Sequence, residues 1–262
     1  MYTHNIDPVA LQLGPIAIHW YGIMYVVAFL GAWFFLHWCS KKGTLNLTKE
    51  QVESFLSYLT LGVIIGGRLG YVLFYDLSRY LADPLSIVAV WQGGMSFHGG
   101  LIGVGIGAWL FSRKHKVSLL HIIDAFTVPA MLGQGFGRIG NFINGELFGR
   151  VTDLPWAMAF PASGDSLARH PSQLYEAAYN FAFALIIFLY RKKMPAEGRQ
   201  LGLYLLLYGI GRALVEFVRV PDYFVGPLTA GQLFSIPMIL VGAWLLFRRH
   251  SAETPTGTPK AS

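Results

Sequence analysis

The chain has 262 residues, 54% of them hydrophobic and only 13% charged, about half the charged share of a soluble globular domain. One cysteine, Cys39, excludes an internal disulfide framework and a multi-cysteine metal site. The formal net charge of +6 lies in short loops between apolar runs, with no basic stripe beside a nucleic-acid fold motif, so no nucleic-acid partner is expected.

Apolar stretches of about 20 residues read as membrane-crossing helices. No positive segment precedes the first of them, so no cleavable signal peptide is expected. The pattern predicts an all-α polytopic fold with seven spans: 18–37, 53–75, 95–112, 119–138, 173–190, 201–218 and 231–247. Lys41, Lys42 and Lys49 follow the first span, and Arg113, Lys114 and Lys116 the third. Arg191, Lys192, Lys193 and Arg199 follow the fifth, and Arg248 and Arg249 the seventh. The opposite loops hold no lysine. The positive-inside rule therefore places the N-terminus outside and the C-terminus in the cytoplasm. One catalytic unit is expected over 1–250, followed by a disordered cytoplasmic tail over 251–262, rich in Thr and Pro. Two long outer loops are expected, 76–94 and 139–172. The first contains the apolar run Leu85–Trp91, too short to span, which would lie in the interface or re-enter. Gly62, Gly66 and Gly70, and likewise Gly99, Gly103 and Gly107, recur every four residues and predict faces where helices approach closely. No repeat suggests a transporter built from two halves.

Polar groups at membrane depth are expensive and persist where they meet partners, water or substrate. Arg68, His98, Asp124, Arg138, Glu176, Arg212 and Glu216 fall in or at the edges of the spans. Arg212 and Glu216 are four apart, share a face and can pair. Gly209 and Gly211 would leave room beside the guanidinium, one turn after Tyr208. Arg68 reads equally as a structural partner of a carboxylate. Cys39 reads as a packing residue. His98 sits in G-G-M-S-F-H-G-G, a glycine-flanked start of the third span shaped for ligand approach, and histidine suits general-base work. His19, His121 and His170 are weaker candidates; Ser172 reads as the N-cap of the fifth span, with His170 just before it. Tyr21 and Tyr25 read as aromatic-belt residues. Arg138, Asn141, Asn144 and Glu146 lie in G-R-I-G-N-F-I-N-G-E-L-F-G-R (137–150). Arginine is a natural ligand for a lipid phosphate and asparagine for hydroxyls. Together with His98 and Tyr21 these residues point to chemistry on a phospholipid at headgroup depth. An ion path and a non-catalytic lipid scaffold are the competing classes.

Six ordered blocks closely resemble the bacterial prolipoprotein diacylglyceryl transferases: H-W-Y-G-I-M-Y (19–25), G-G-R-L-G-Y-V-L-F-Y (66–75), G-G-M-S-F-H-G-G (93–100), the 137–150 block, R-H-P-S-Q-L-Y-E (169–176) and Y-G-I-G-R-A-L-V-E-F-V-R (208–219). The resemblance implies a seven-span bacterial inner-membrane enzyme with its site facing the outer leaflet. It would move the diacylglyceryl group of phosphatidylglycerol onto the lipobox cysteine of a preprolipoprotein signal peptide, releasing glycerol 1-phosphate. Its partners would be those two substrates and membrane lipids, with no metal and no organic cofactor. By motif, His98 matches a base for the substrate thiol, and Arg138 and Arg212 match arginines that hold the phosphate. Tyr21, Asn141, Asn144, Glu146, Gly149, Tyr208 and Glu216 match substrate-binding or otherwise important positions. Two departures stand out: Phe148 replaces a tryptophan of many members, and the segment 151–168 is shorter than in some. Arg150 receives no role.

Overall fold

The computed structural model describes residues 2–221 and 223–248. The expected tail 251–262, and Arg249, lie outside them. The chain runs through α1 (Trp20–Lys41), α2 (Lys49–Phe74), the short α3 (Leu77–Ala82), α4 (Phe97–His115), α5 (Leu119–Ile143), α6 (Ser172–Tyr190), α7 (Arg199–Val215) and α8 (Ala230–Phe247). The protein is a polytopic helical membrane protein. Five helices are long and apolar enough to cross a membrane by length and composition: α1, α2, α5, α6 (as Ser172–Lys193) and α8. The remaining two expected spans are helical but fall outside that set. α7 has 17 residues, short of the roughly 20 a bilayer core needs. α4 is diluted by glycine and ends in Arg113, Lys114 and His115.

Helix starts follow local chemistry. Thr48 and Gln51 form a reciprocal capping box that begins α2 a turn before the expected 53. Thr229 and Gln232 do the same for α8. Ser96 accepts from the Gly99 amide at 3.2 Å and starts α4. Ser172 is not a cap: Pro171 holds that position, and the Ser172 hydroxyl donates to the Leu147 carbonyl at 3.1 Å. The α7 start takes its cap from another helix. Buried Asp124 of α5 accepts from the Gly198 and Leu201 amides, both at 2.7 Å, satisfying donors a helix start leaves open.

The expectation of a purely α fold needs a small correction. Short strands join the helix ends: β1 (Tyr2–Thr3) pairs parallel with β4 (Met158–Ala159), which pairs antiparallel with β5 (Ala168–Arg169). β2 (Val9–Leu13) and β3 (Ile16–His19) form a hairpin before α1, and β6 (Phe224–Val225) with β7 (Leu228–Thr229) another before α8. These link segments too short to bury a face of their own, and backbone pairing satisfies their polar groups.

The two glycine rows meet. A β-carbon on Gly70 would lie 2.7 Å from the Gly99 Cα, and one on Gly103 would overlap the Gly62 carbonyl. α2 and α4 therefore pack backbone to backbone. Below them Leu36, Cys39, Val52, Phe55, Phe111 and Ile122 form the main buried cluster at the basic-loop end. Cys39 is a packing residue there, free and buried. Arg68 meets no carboxylate among the described residues. Its Nε donates to the Ile87 carbonyl at 2.8 Å, its Nη2 to Ser86 O at 2.5 Å, and its Nη1 to the Gly93 and Gly94 carbonyls. The guanidinium also lies 5.0 Å from the Tyr80 ring centroid. The 76–94 loop is thus folded around one buried cation. Its run 85–91 forms two 3-10 turns, Pro84–Val88 and Val90–Gln92, that leave Leu85, Val88 and Trp91 exposed.

Gly103→Val should destabilise the α2–α4 contact by about 1–3 kcal/mol through overpacking, whereas Gly105→Ala, with nothing within 4 Å of its β-carbon, should leave it intact. Thermal unfolding of the two variants in the same detergent checks the difference.

Candidate active site at the ends of α5, α6 and α7

At the end of the bundle away from the basic loops, three arginines and two glutamates alternate. Arg138 of α5 pairs through Nε with Glu176 Oε2 at 2.9 Å, and Arg219 pairs through Nη1 with Glu176 Oε1 at 2.7 Å. Arg219 Nε lies 3.9 Å from Glu216 Oε2, and Arg212 donates to that same oxygen. Both glutamate side chains are 1% exposed, while those of Arg219, Arg212 and Arg138 are 7%, 15% and 23% exposed. Within this series of described residues, three guanidiniums alternate with two carboxylates. The two arginines at the ends of the series are its most open members, an arrangement suited to an anion.

α5 continues to Ile143, five residues past the expected end, and this puts Arg138 and Asn141 on one face. Arg138 Nη1 donates to Asn141 Oδ1 at 3.2 Å, and Asn141 Nδ2 donates to Glu146 Oε1 at 2.8 Å. Asn144 Nδ2 reaches the same Glu146 oxygen at 3.4 Å. Tyr21, at the start of α1, packs on Gly140, its hydroxyl 3.3 Å from that of Tyr25 and in electrostatic reach of Asn141 and Glu146. Tyr208 of α7 lies in electrostatic reach of Arg138, Glu176, Arg212 and Arg219. It is stacked on Tyr204 at 6.1 Å.

The 144–150 segment is stitched between α6 and the chain after α7. The Gly149 amide donates to His170 O at 2.8 Å and the Arg150 amide to Val218 O at 2.8 Å. A β-carbon on Gly149 would strike the Val218 carbonyl and sit 2.7 Å from His170 Cβ, so only glycine fits this crossing. Arg150 also has a structural task, its Nε donating to Arg219 O at 2.7 Å. Phe148 stacks on Phe160 at 5.3 Å, with the Arg169 guanidinium 5.2 Å from its centroid. His170 keeps the helix-start position expected of it, and burial pushes its imidazole pKa down. Its neighbour Arg169 holds the Asp165 carboxyl below the usual carboxylate range through a 2.6 Å bond.

His98 stands apart from the ion network. It is exposed at the start of α4, edge-on to Phe97 at 5.6 Å and 6.4 Å from the Phe234 ring of α8, with no hydrogen bond or ion pair among the described residues. Of its glycines, Gly99 packs on α2 and Gly94 is crowded by Arg68 and Tyr71, while a β-carbon on Gly93 would meet nothing within 4 Å. Gly209 and Gly211 likewise meet Ile239 and Phe183 rather than opening space at Arg212. The space comes from Gly231 of α8, whose β-carbon would sit 2.5 Å from Glu216 Oε2 and 2.7 Å from Arg212 Nη2. Sequence reasoning noted Glu176 as a membrane-depth charge without assigning it, and did not single out Arg219 or Gly231. The signal for Arg219 was its spacing, three after Glu216 and seven after Arg212, on one helical face.

A family model described as prolipoprotein diacylglyceryl transferase matches residues 8–248. The chain belongs to the prolipoprotein diacylglyceryl transferase family. Curated relatives of this family are each named phosphatidylglycerol–prolipoprotein diacylglyceryl transferase. The protein of Pseudomonas savastanoi pv. phaseolicola is 49% identical over 261 residues, covering 95% of this chain and 97% of the relative. That of Legionella pneumophila (strain Paris) is 48% identical over 252 residues, 94% of this chain and 98% of the relative. That of Pseudomonas aeruginosa (strain LESB58) is 47% identical over 267 residues, 98% of each.

Glu176→Gln should leave two guanidiniums sharing a neutral partner. A broken buried pair costs about 3–5 kcal/mol, so transferase stability and activity should both fall, more than in Arg169→Ala at the loop; parallel melting and activity measurements compare the two variants.

Proposed function

We propose that Arg138 and Arg212 form the phosphate grip of an enzyme that transfers the diacylglyceryl group of phosphatidylglycerol to prolipoproteins, the first step of lipoprotein maturation. The observation that carries this reading is the alternating network, which presents two partly open guanidiniums at its ends. Catalysis by such preorganised charge is often the largest single contribution to rate. Glu176, Arg219 and Glu216 hold the grip in place. Asn141, Asn144, Glu146 and Tyr21 orient the glycerol part of the donor lipid, Tyr208 lines the grip, and Gly149 keeps the 144–150 segment close.

The thiolate of the lipobox cysteine attacks the diacylglycerol carbon that bears the phosphate. A carbon–sulfur bond forms, the carbon–oxygen bond breaks, and the electron pair leaves on the phosphate of glycerol 1-phosphate. A free thiol has a pKa of about 8.5, so a base must take its proton. His98, exposed and with no hydrogen bond or ion pair among the described residues, fills that role. Arg138 and Arg212 stabilise the charge that builds on the departing phosphate, and guanidinium needs no titration to do so. The same reading takes 1–250 as one unit with seven spans, α4 and α7 included, in the bacterial inner membrane. The basic loops then face the cytoplasm and the site faces the outer leaflet, where lipid and signal peptide both arrive.

Arg138→Ala and Arg212→Ala should each lower transfer at least about 100-fold while the protein still inserts and folds. Mass spectrometry of a lipobox peptide incubated with phosphatidylglycerol reads the diacylglyceryl thioether; full activity in either variant removes the phosphate-grip role. His98→Gln should slow transfer more at low pH than at high pH, where the peptide thiol ionises unaided, and an unchanged profile at lower rate assigns His98 to positioning instead.

A further inference from the structure

Beside the Asn144–Glu146 turn lies a cavity of about 270 Å³ that includes His4, Asn5, Asn144, Gly145 and Pro161 in its walls. His4 follows β1 and is 5% exposed. Its amide donates to the Ala159 carbonyl at 2.8 Å, and its ring stacks on Phe160 at 5.4 Å and meets Phe142 edge-on at 5.1 Å. These contacts use the ring faces and the backbone, while His4 Nε2 is buried without a hydrogen-bond partner. Asn144 gives its amide hydrogen to Glu146 and keeps Oδ1 buried and unpaired. His4 and Asn144 both line this cavity, and each carries a buried polar atom without a protein partner among the described residues. Gly145, at φ 68°, makes the turn that brings His4 against it.

The cavity is wired to the phosphate grip. Asn144 and Asn141 share Glu146 Oε1, and Asn141 accepts from Arg138. None of the residues lining the cavity is Lys, Arg, Asp or Glu, so it suits neither a phosphate nor an ammonium group. An imidazole and two amides instead offer both donors and acceptors, which is what hydroxyl groups need.

We propose that this cavity binds the terminal diol of a glycerol phosphate headgroup, with His4, Asn5 and Asn144 as its polar contacts. The inference rests on Arg138 holding the phosphate, from which the three-carbon glycerol extends along the Asn141–Glu146–Asn144 ladder. The diol belongs either to the donor lipid or to released glycerol 1-phosphate. His4 is then a specificity-determining residue supplied by the N-terminal strand, which β1–β4 pairing holds in place.

His4→Phe keeps the aromatic stack and the backbone bond but removes the ring nitrogens. The full chain is given a lipobox peptide and an equimolar mixture of phosphatidylglycerol and phosphatidylethanol, with different acyl chains so that the two thioether products separate by mass. This competition reads a ratio of kcat/KM values, independent of how much enzyme is folded. The expected result is a preference for phosphatidylglycerol reduced about tenfold, the effect of one hydrogen bond to a neutral group at the upper end of its usual range. A second arm measures inhibition by added glycerol 1-phosphate. A reduced lipid preference assigns the cavity to the donor headgroup; an unchanged preference with weaker inhibition assigns it to the released product. Unchanged preference together with unchanged inhibition overturns the inference. Should His4→Phe give no measurable transfer, Asn5→Ala is tested in the same two arms with the same outcomes. A fully active Arg138→Ala removes the footing in the phosphate grip, whereas unchanged ratios beside an inactive Arg138→Ala remove only the assignment of the cavity.

Discussion

Glu176 holds two guanidiniums on one buried carboxylate, Arg138 on one oxygen and Arg219 on the other. The rest of the site depends on this. A charge taken out of water is tolerated only with partners of opposite sign in good geometry. Here each charge serves as a partner for the next, from α5 through α6 to the end of α7. The series terminates in arginines at both ends, and among the described residues its two outermost charges pair with one carboxylate each. The proposed phosphate grip would gain from that arrangement, because charge fixed before an anion arrives needs no reorganisation as further charge builds on it.

Around the network, close approach is obtained by removing side chains rather than by adding contacts. Gly231 gives the Arg212–Glu216 pair its space at the start of α8, and Gly149 lets the 144–150 segment cross between His170 and Val218. The glycine rows on α2 and α4 bring those helices together at backbone distance. Small residues suit packing in lipid, where there is no hydrophobic force to drive helices together and dispersion and hydrogen bonding must do so. The same economy of polar groups explains Arg68 and Asp124. Each is a buried charge that satisfies backbone groups, carbonyls of the 76–94 loop in one case and amides at the start of α7 in the other.

Much of this was legible beforehand where the signal is local. Helix positions follow from apolar runs about 20 residues long, and their starts from Ser and Thr caps that act within one turn. The Arg212–Glu216 pair follows from a spacing of four. The failures share a physical cause: the partner lies far away in the chain. Arg68 looked like half of an ion pair because carbonyls carry no sequence signature. Gly99, Gly209 and Gly211 looked like space for a ligand because a glycine does not reveal what approaches it. Glu176 gave no hint that it would bridge Arg138, 38 positions earlier, and Arg219, 43 positions later.

The sequence by itself therefore determined a helical membrane protein, its family and the residue types at its site, because hydropathy period, caps and motif blocks are properties of neighbouring residues. Only the tertiary structure decided which charges meet. It placed Arg138, Glu176, Arg219, Glu216 and Arg212 in one alternating series, left His98 on the α4–α8 side, and brought His4 from the N-terminal strand to the Asn144 turn. Those juxtapositions depend on how α5, α6 and α7 pack and where their ends fall, and helix packing is set by long-range contacts that no local pattern encodes.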